Sequence, residues 1–433
     1  MMQNARHKRA MRQRRDAAIK KSPLVMLDIG STKLTAIIVQ YMAPNNPESA
    51  GHSFRVLASQ STKSSAIRYG EIASMFQFQR ELLRLMQSVQ KAANLKVDYA
   101  VACFSGGQFQ SYGALGEVAT ETGEVTERDI ANVIASCEYP QLPSEREWLH
   151  AMPINFTLDQ KPNLGDPRGL VGARLAVDMH MLAVDAIPMR NFEQAIKSTD
   201  IELVGVTASP YMTGLAVLSE DEQQRGAVVI DMGGMTTSVA IFYAKQLMFV
   251  KTVRIGGFHI TNDISQFLKI SFDSAERIKT LHSGVEATAH DDRETIDYTE
   301  EGDTERKTIT RSELIGIIRP RVEEIFEEVL EVVGESGFDK LPNRQFVLAG
   351  GCSQIVGLEL LAEKFLQSRV RTGRSIKLAG ASVQQTTAEY TAATGVAIAT
   401  ASPKDEHWDF IDPNSGRSLS SISSMFNWFR QNW

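Results

Sequence analysis

Two aspartates, Asp28 and Asp231, close nearly the same phrase at two places in the chain. Val25-Met26-Leu27-Asp28-Ile29-Gly30-Ser31-Thr32 is echoed by Val228-Val229-Ile230-Asp231-Met232-Gly233-Gly234-Met235-Thr236-Thr237. Each copy is an apolar strand ending in Asp-x-Gly, followed by hydroxyl residues and a second apolar run, Leu34 to Val39 or Val239 to Phe242. That pattern predicts a hairpin with a tight Gly and Ser/Thr turn. Glycine lets backbone approach a ligand, and successive N–H groups with hydroxyls suit phosphate oxygens. The aspartates would hold a hydrated Mg²⁺ rather than touch phosphate themselves. One such phrase is an ordinary strand–turn junction, whereas two facing copies make a clamp for a nucleotide triphosphate tail.

Two further segments have suitable chemistry. Phe346-Val347-Leu348-Ala349-Gly350-Gly351, then Cys352-Ser353, is a strand running into a glycine turn that a flat ligand could approach. Arg254 to Ile264 contains Gly256-Gly257, Thr261 and Asp263, and is followed by Ala275-Glu276-Arg277-Ile278-Lys279. Glu276 and Lys279 share a helix face at i, i+3, which fits either a grip on ribose hydroxyls or a plain surface ion pair.

These residues need elements to position them. Helical spacing of Phe78, Leu82, Leu85, Met86 and Val89 predicts a helix within 71–93, and 99–105 reads as a short strand entering Ser-Gly-Gly. Thr126 is the expected N-cap of the next helix. Strand 170–186, helix 191–198 and strand 202–207 follow, and 286–306 reads as an acidic hairpin and loop. Apolar spacing from Arg311 to Val333 predicts a helix containing Pro320, where a kink is expected.

At 433 residues the chain has room for two core-forming domains, and 43% hydrophobic with 23% charged residues is an ordinary globular composition. No apolar run is long enough to span a bilayer. Three scattered cysteines, Cys103, Cys137 and Cys352, show no metal-ligand spacing and point to a reducing, cytoplasmic compartment. The net charge of −6 hides an asymmetry: residues 1–21 hold eight Lys/Arg against Asp16 alone, a surplus of seven, which leaves the rest near −13 (−6 minus 7). The head reads as a disordered solubilising tail or as a patch attracted to anionic lipid. It lacks the apolar core of a secretory signal.

Beyond Pro403 the chain turns polar, then ends on Ile422, Met425, Phe426, Phe429 and Trp433 in one helical stripe with Trp428 at its edge. The stripe suits the bilayer interface, or docking on the protein's own core. Arg430 is its one cation, so burial rather than charge would drive insertion, and a polymer presenting many copies would bind through avidity.

The order Asp-x-Gly-Ser-Thr-Lys, Asp-x-Gly-Gly-x-Thr-Thr, Gly-Gly-x-x-x-Thr-x-Asp-Ile, Ala-Glu-x-x-Lys, Leu-x-Gly-Gly-x-Ser resembles the actin/Hsp70/sugar-kinase ATPase superfamily. Within it, the chain is similar to the FtsA family of actin-like bacterial cell-division proteins. The resemblance covers roughly 23–400 and the terminal helix, and residues around Phe104-Ser105-Gly106-Gly107 and 125–129 resemble the family's own subdomain. It implies an α/β, actin-like two-lobed ATPase fold, made of duplicated ribonuclease-H-like domains with a small α+β insert. The segments expected from it are a basic disordered tail (1–22), a first lobe (23–83, 169–208, 376–402), the insert (84–168), a second lobe (209–375), a linker (403–420) and an amphipathic membrane-targeting helix (421–433).

The resemblance also implies ATP and Mg²⁺ in the cleft. Asp28 and Asp231 would flank the metal; Gly30, Ser31, Thr32 and Lys33 would serve the β-phosphate end, and Gly233, Gly234, Thr236 and Thr237 the γ end. Glu276 and Lys279 would hold ribose, with Gly350, Gly351 and Ser353 flanking adenosine. The implied partners are the C-terminal tail of the tubulin-like protein FtsZ, bound around Arg319 and Glu323, other copies of the chain in a filament, further division proteins and membrane lipid, but no nucleic acid. The implied location is the cytoplasmic side of the inner membrane at the division site. Met235 and Cys352 stand where relatives often carry glycine. Ser209 stands where the family pattern has Glu before Pro, so slow or absent ATP hydrolysis is expected. A pilus-assembly ATP-binding adaptor and a soluble small-molecule kinase are the alternatives.

Overall fold

The computed structural model describes residues 2–19, 22–42, 54–340, 344–376 and 387–401. The expected linker (403–420) and the stripe from Ile422 to Trp433 lie outside the described residues.

The apolar run before Asp28 forms a fully enclosed strand because every side chain but that of Asp28 is buried, the pattern of a central strand covered on both faces. The first lobe opens with helix α1 (Met2–Ile19), strands β1 (Leu24–Ile29), β2 (Lys33–Tyr41) and β3 (Phe54–Lys63), and a two-residue ladder of β4 (Ile67–Arg68) with β5 (Glu71–Ile72). Helix α2 (Met75–Ala93) and strand β6 (Tyr99–Phe104) follow. The insert contains β7 (Gln110–Ala119), α3 (Glu127–Ala135), β8 (Arg146–Leu158), β9 (Lys161–Leu164) and β10 (Arg174–Asp185). The chain returns through α4 (Ala186–Lys197) and β11 (Glu202–Ala208), and α5 (Ser209–Val217) leads out.

The second lobe holds α6 (Glu220–Arg225), β12 (Ala227–Met232), β13 (Thr237–Tyr243), β14 (Gln246–Val253), α7 (Gly257–Leu268) and α8 (Phe272–His282). It continues with the hairpin β15 (Thr295–Tyr298) and β16 (Lys307–Thr310), α9 (Arg311–Ser336), β17 (Gln345–Ala349), α10 (Leu358–Leu366) and β18 (Arg369–Thr372). Helix α11 (Thr391–Ala401) then packs back on the first lobe and α5.

The two large sheets have one plan. Their orders are β3-β2-β1-β6-β11 and β14-β13-β12-β17-β18. In both, the first three strands are antiparallel neighbours and the last two are added in parallel. This is the duplicated, actin-like two-lobed architecture. One core runs from the first lobe through α5 and α11 onto one face of the second sheet (Val229, Ala240, Phe242, Val347), and the other face of that sheet (Val228, Ile230, Val239, Leu348) packs on a second core. Where α11 meets α5, Gly395 is obligatory: a Cβ at that position would lie 1.8 Å from the Met212 carbonyl oxygen.

The insert is a third unit with its own core, in which α3 covers the sheet β7-β10-β8-β9. Thr126 caps α3 as expected, in a reciprocal box with Asp129. Its boundaries differ from 84–168, however. Helix α2 and strand β6 belong to the first lobe, since β6 pairs with β1 in the register Asp28↔Cys103. Strand β10, expected in that lobe, pairs instead with β7 and β8. Its alternating pattern specifies a strand but not which sheet receives it.

The N-terminal head is also corrected, since residues 2–19 form a helix rather than a disordered tail. Met11 and Ala18, at i and i+7, are buried, His7 meets Glu193 at 3.1 Å, and Arg14 meets Glu202 at 2.6 Å. Composition reports the cations but not the acidic partners near residues 193–202. Helix α9 runs unbroken through Pro320, and the hairpin expected within 286–306 forms at 295–310, its second strand lying beyond the expected bound.

Candidate functional site

Both phosphate turns are closed by the same backbone bond. The Gly30 N–H donates to the Lys33 carbonyl at 3.0 Å, and the Gly233 N–H donates to the Thr236 carbonyl at 2.9 Å. They face each other across a cavity of about 830 Å³. Gly234 is needed at the meeting point: its Cβ would sit 2.4 Å from Thr32 Cγ2 of the opposite turn.

Asp28 and Asp231 both line this cleft. Burial, then the charge of Asp231, pushes the Asp28 carboxyl up to about 7. Burial also raises Asp231, against the lowering pull of Thr213, whose hydroxyl donates to Asp231 Oδ2 at 2.7 Å. Two desolvated carboxylates of like charge need a proton or a cation nearby. Among the described residues no group of three or more His, Cys, Asp or Glu forms a metal cage. Two carboxylates therefore fit Mg²⁺ as a mostly hydrated ion, its shell completed by water and phosphate oxygens.

Most of the expected phosphate residues converge here: Gly30, Ser31, Thr32 and Lys33 from one turn, Gly233, Gly234 and Thr236 from the other. Ser31 Oγ also accepts from the Gly70 N–H at 3.2 Å. Thr237 does not face the cleft. It is fully buried, and its hydroxyl donates to the Ile255 carbonyl at 2.8 Å, because successive strand residues point to opposite faces. Ser238, opposite Asp231 in the ladder, lines the cleft in its place, as Thr35 does opposite Asp28. Period-two alternation could have found both.

The Glu276–Lys279 pair is more than a surface contact. Lys279 Nζ donates to Glu276 Oε2 at 2.7 Å, to Thr261 Oγ1 at 2.7 Å and to the Gly257 carbonyl at 3.0 Å. This fixes Glu276 on the cleft wall with part of its carboxylate exposed, an arrangement suited to hydroxyl groups. Thr261 was missed as a positioning residue. Gly350 and Gly351 also line the cleft, but Ser353 does not; its hydroxyl is turned into the Gly350 carbonyl at 2.7 Å. Its neighbours Cys352 and Gln354 are the lining residues, and Cys352 Sγ donates to the Gly233 carbonyl at 3.4 Å. Burial raises that thiol. Met235 is buried, and Ser209 lines the cleft at the start of α5.

Arg319 and Glu323 are not in the cleft. They form an i, i+4 ion pair of 2.7 Å on α9 of the second lobe.

Comparison with known proteins gives the family and the fold. The family model for the cell division protein FtsA matches residues 228–401, and that for the SHS2 domain inserted in FtsA matches 106–183, the span of the third unit. The chain is 30% identical to the cell division protein FtsA of Rhizobium meliloti (strain 1021) over 386 residues, covering 88% of this chain and 87% of the relative. Among solved structures, a PilM-PilN type IV pilus biogenesis complex chain has a TM-score of 0.59 at 16% identity, with 88% of this chain and 99% of that one covered. MreB5 of Spiroplasma citri bound to AMPPNP has a TM-score of 0.53 at 15% identity, with 88% and 96% covered. Both structural likenesses are of fold.

Proposed function

The chain belongs to the FtsA family of cell-division proteins, and from that premise we propose that it is a nucleotide-binding scaffold of the division machinery. The observation that carries the nucleotide part is the pair of mirrored turns closing on one cleft with Asp28 and Asp231 between them. MgATP is the ligand this donor set suits. Asp28 and Asp231 hold the hydrated cation, and the two turns take the phosphates. Glu276, fixed by Lys279, takes ribose, and Gly350 and Gly351 flank adenosine. The bound Mg²⁺ supplies charge neutralisation of the phosphate tail.

In this reading the nucleotide serves assembly more than turnover. Ser209 is short and buried, and a hydroxyl orients a water for attack less well than Glu or Gln. The chain polymerises and binds the C-terminal tail of FtsZ through the second lobe near Arg319 and Glu323. It helps recruit later division proteins and is held at the cytoplasmic side of the inner membrane by residues 421–433. No helix among the described residues is long and apolar enough to cross a membrane. Of the eight cations in residues 1–21, Arg14 is engaged with Glu202.

The test is co-sedimentation with anionic vesicles of the full chain and of a version ending at Ser420, each with and without ATP. Pelleting that depends on the last residues and increases with ATP supports the scaffold. Equal behaviour of the two versions, with no vesicle binding, refutes membrane attachment through this end.

A further inference from the structure

Lys33 is the first residue of β2 and follows the first phosphate turn directly, and its register partner on β3 is Lys63. Both line the cleft, so two cations stand side by side on the first-lobe wall. One is already engaged: Lys33 Nζ lies 2.7 Å from Glu389 Oε2, and Glu389 lines the same cleft. In the second lobe the residue after the turn is instead the buried Thr237.

We propose that Glu389 is an internal competitor for the ligand's phosphate, occupying Lys33 until a phosphate oxygen displaces it and so setting the affinity of the cleft. The inference rests on the nucleotide reading of this cleft. A carboxylate and a phosphate oxygen are both anionic acceptors of similar reach, and two anions gathered on one ammonium repel each other, so the carboxylate's contact opposes the phosphate's. The backbone of Glu389 is fixed, because its carbonyl accepts from the Thr35 hydroxyl at 3.2 Å and α11 begins two residues later. Exchange therefore needs only a side-chain rotation. The Lys33 and Glu389 side chains are 53% and 28% exposed, so the pair is solvent-screened and breakable, as a competitor must be. Displaced, Glu389 loses its cation in a cleft that already holds Asp28, Asp231, Asp273 and Glu276, which further opposes an anionic ligand unless a divalent cation arrives with it.

The experiment is titration of MgATP into wild type, Glu389→Gln, Lys33→Met and the double variant, followed by calorimetry, with Glu389→Ala as a second removal of the carboxylate. Glu389→Gln and Glu389→Ala are expected to bind about two- to five-fold more tightly than wild type, the range set by a screened ion pair. Lys33→Met weakens binding, and in that background Glu389→Gln gives no gain. Unchanged or weaker binding by both Glu389 variants, or a gain that persists without Lys33, overturns the proposal while leaving the nucleotide reading intact. Absence of MgATP binding by all of these proteins overturns the nucleotide reading, and the competitor role with it.

Discussion

The two lobes repeat one sheet order and one turn, yet their aspartates are held differently. The Asp231 carboxyl receives a hydrogen bond from Thr213, whereas the Asp28 carboxyl is shifted by burial and the charge of Asp231 with no hydrogen bond to offset them. Correspondingly, the Asp28 carboxyl is driven up to about 7, while Thr213 restrains the rise at Asp231. The lysine after the first turn meets Glu389; the threonine after the second is turned into the lobe. Duplication supplied two equal frames, and the second was pre-organised while the first holds its lysine in an exchangeable ion pair. A ligand therefore completes the first lobe's half of the site more than the second's.

The largest expected effect comes from removing either charge. Asp231→Asn and Asp28→Asn should each weaken MgATP binding on the order of a hundred-fold, since each removes half of the anionic donor set for the cation. Equal losses would show that the two halves act on one ion; loss in one variant alone would break the comparison.

Next in size is the joint between the lobes. Gly395→Val places side-chain atoms on the Met212 backbone and should cost about 1–3 kcal/mol of stability or more, measured by denaturant unfolding. Gly234→Val meets a movable Thr32 side chain instead and should cost less stability while reducing nucleotide binding. The reverse ranking would contradict the packing described for α5 and α11.

Thr213→Val makes Asp231 resemble Asp28. Loss of a hydrogen bond to a charged group costs about 1.5–3 kcal/mol, and MgATP affinity should fall by about ten-fold. The remaining contrast is in pH. Asp28 binds its proton more tightly folded than unfolded, so without cation stability should fall as pH rises from 3.8 toward about 7 and then level off. Over the upper part of that range, stabilisation by Mg²⁺ should grow as the carboxylate becomes free. Thermal melts at several pH values, with and without Mg²⁺, check both slopes, and Asp28→Asn should flatten them.

Much of this was legible in residues. The doubled Asp-x-Gly phrase located both turns because those elements are local, whereas the Glu276–Lys279 spacing alone suited a surface ion pair and only the resemblance put it on the cleft wall. What the sequence left open was pairing between distant segments. Strand β10 alternates correctly but joins the insert, and α1 docks through Met11 and Ala18 onto a surface nearly two hundred residues away. Thr237 and Ser353 were misplaced because their motifs specify residue type without facing. Strand period turns Thr237 inward, and the short turn after Gly350 folds the Ser353 hydroxyl back on itself.

The central claim is that both aspartates share one cation under one nucleotide. Calorimetric titration of ATP into the full chain, with and without Mg²⁺, in two buffers of different ionisation enthalpy, tests it most directly. The account predicts Mg²⁺-dependent binding that releases about one proton to the buffer near pH 6 and almost none near pH 8, as the Asp28 carboxyl loses its proton on taking up the cation. Binding indifferent to Mg²⁺, with no proton released at either pH, would contradict it.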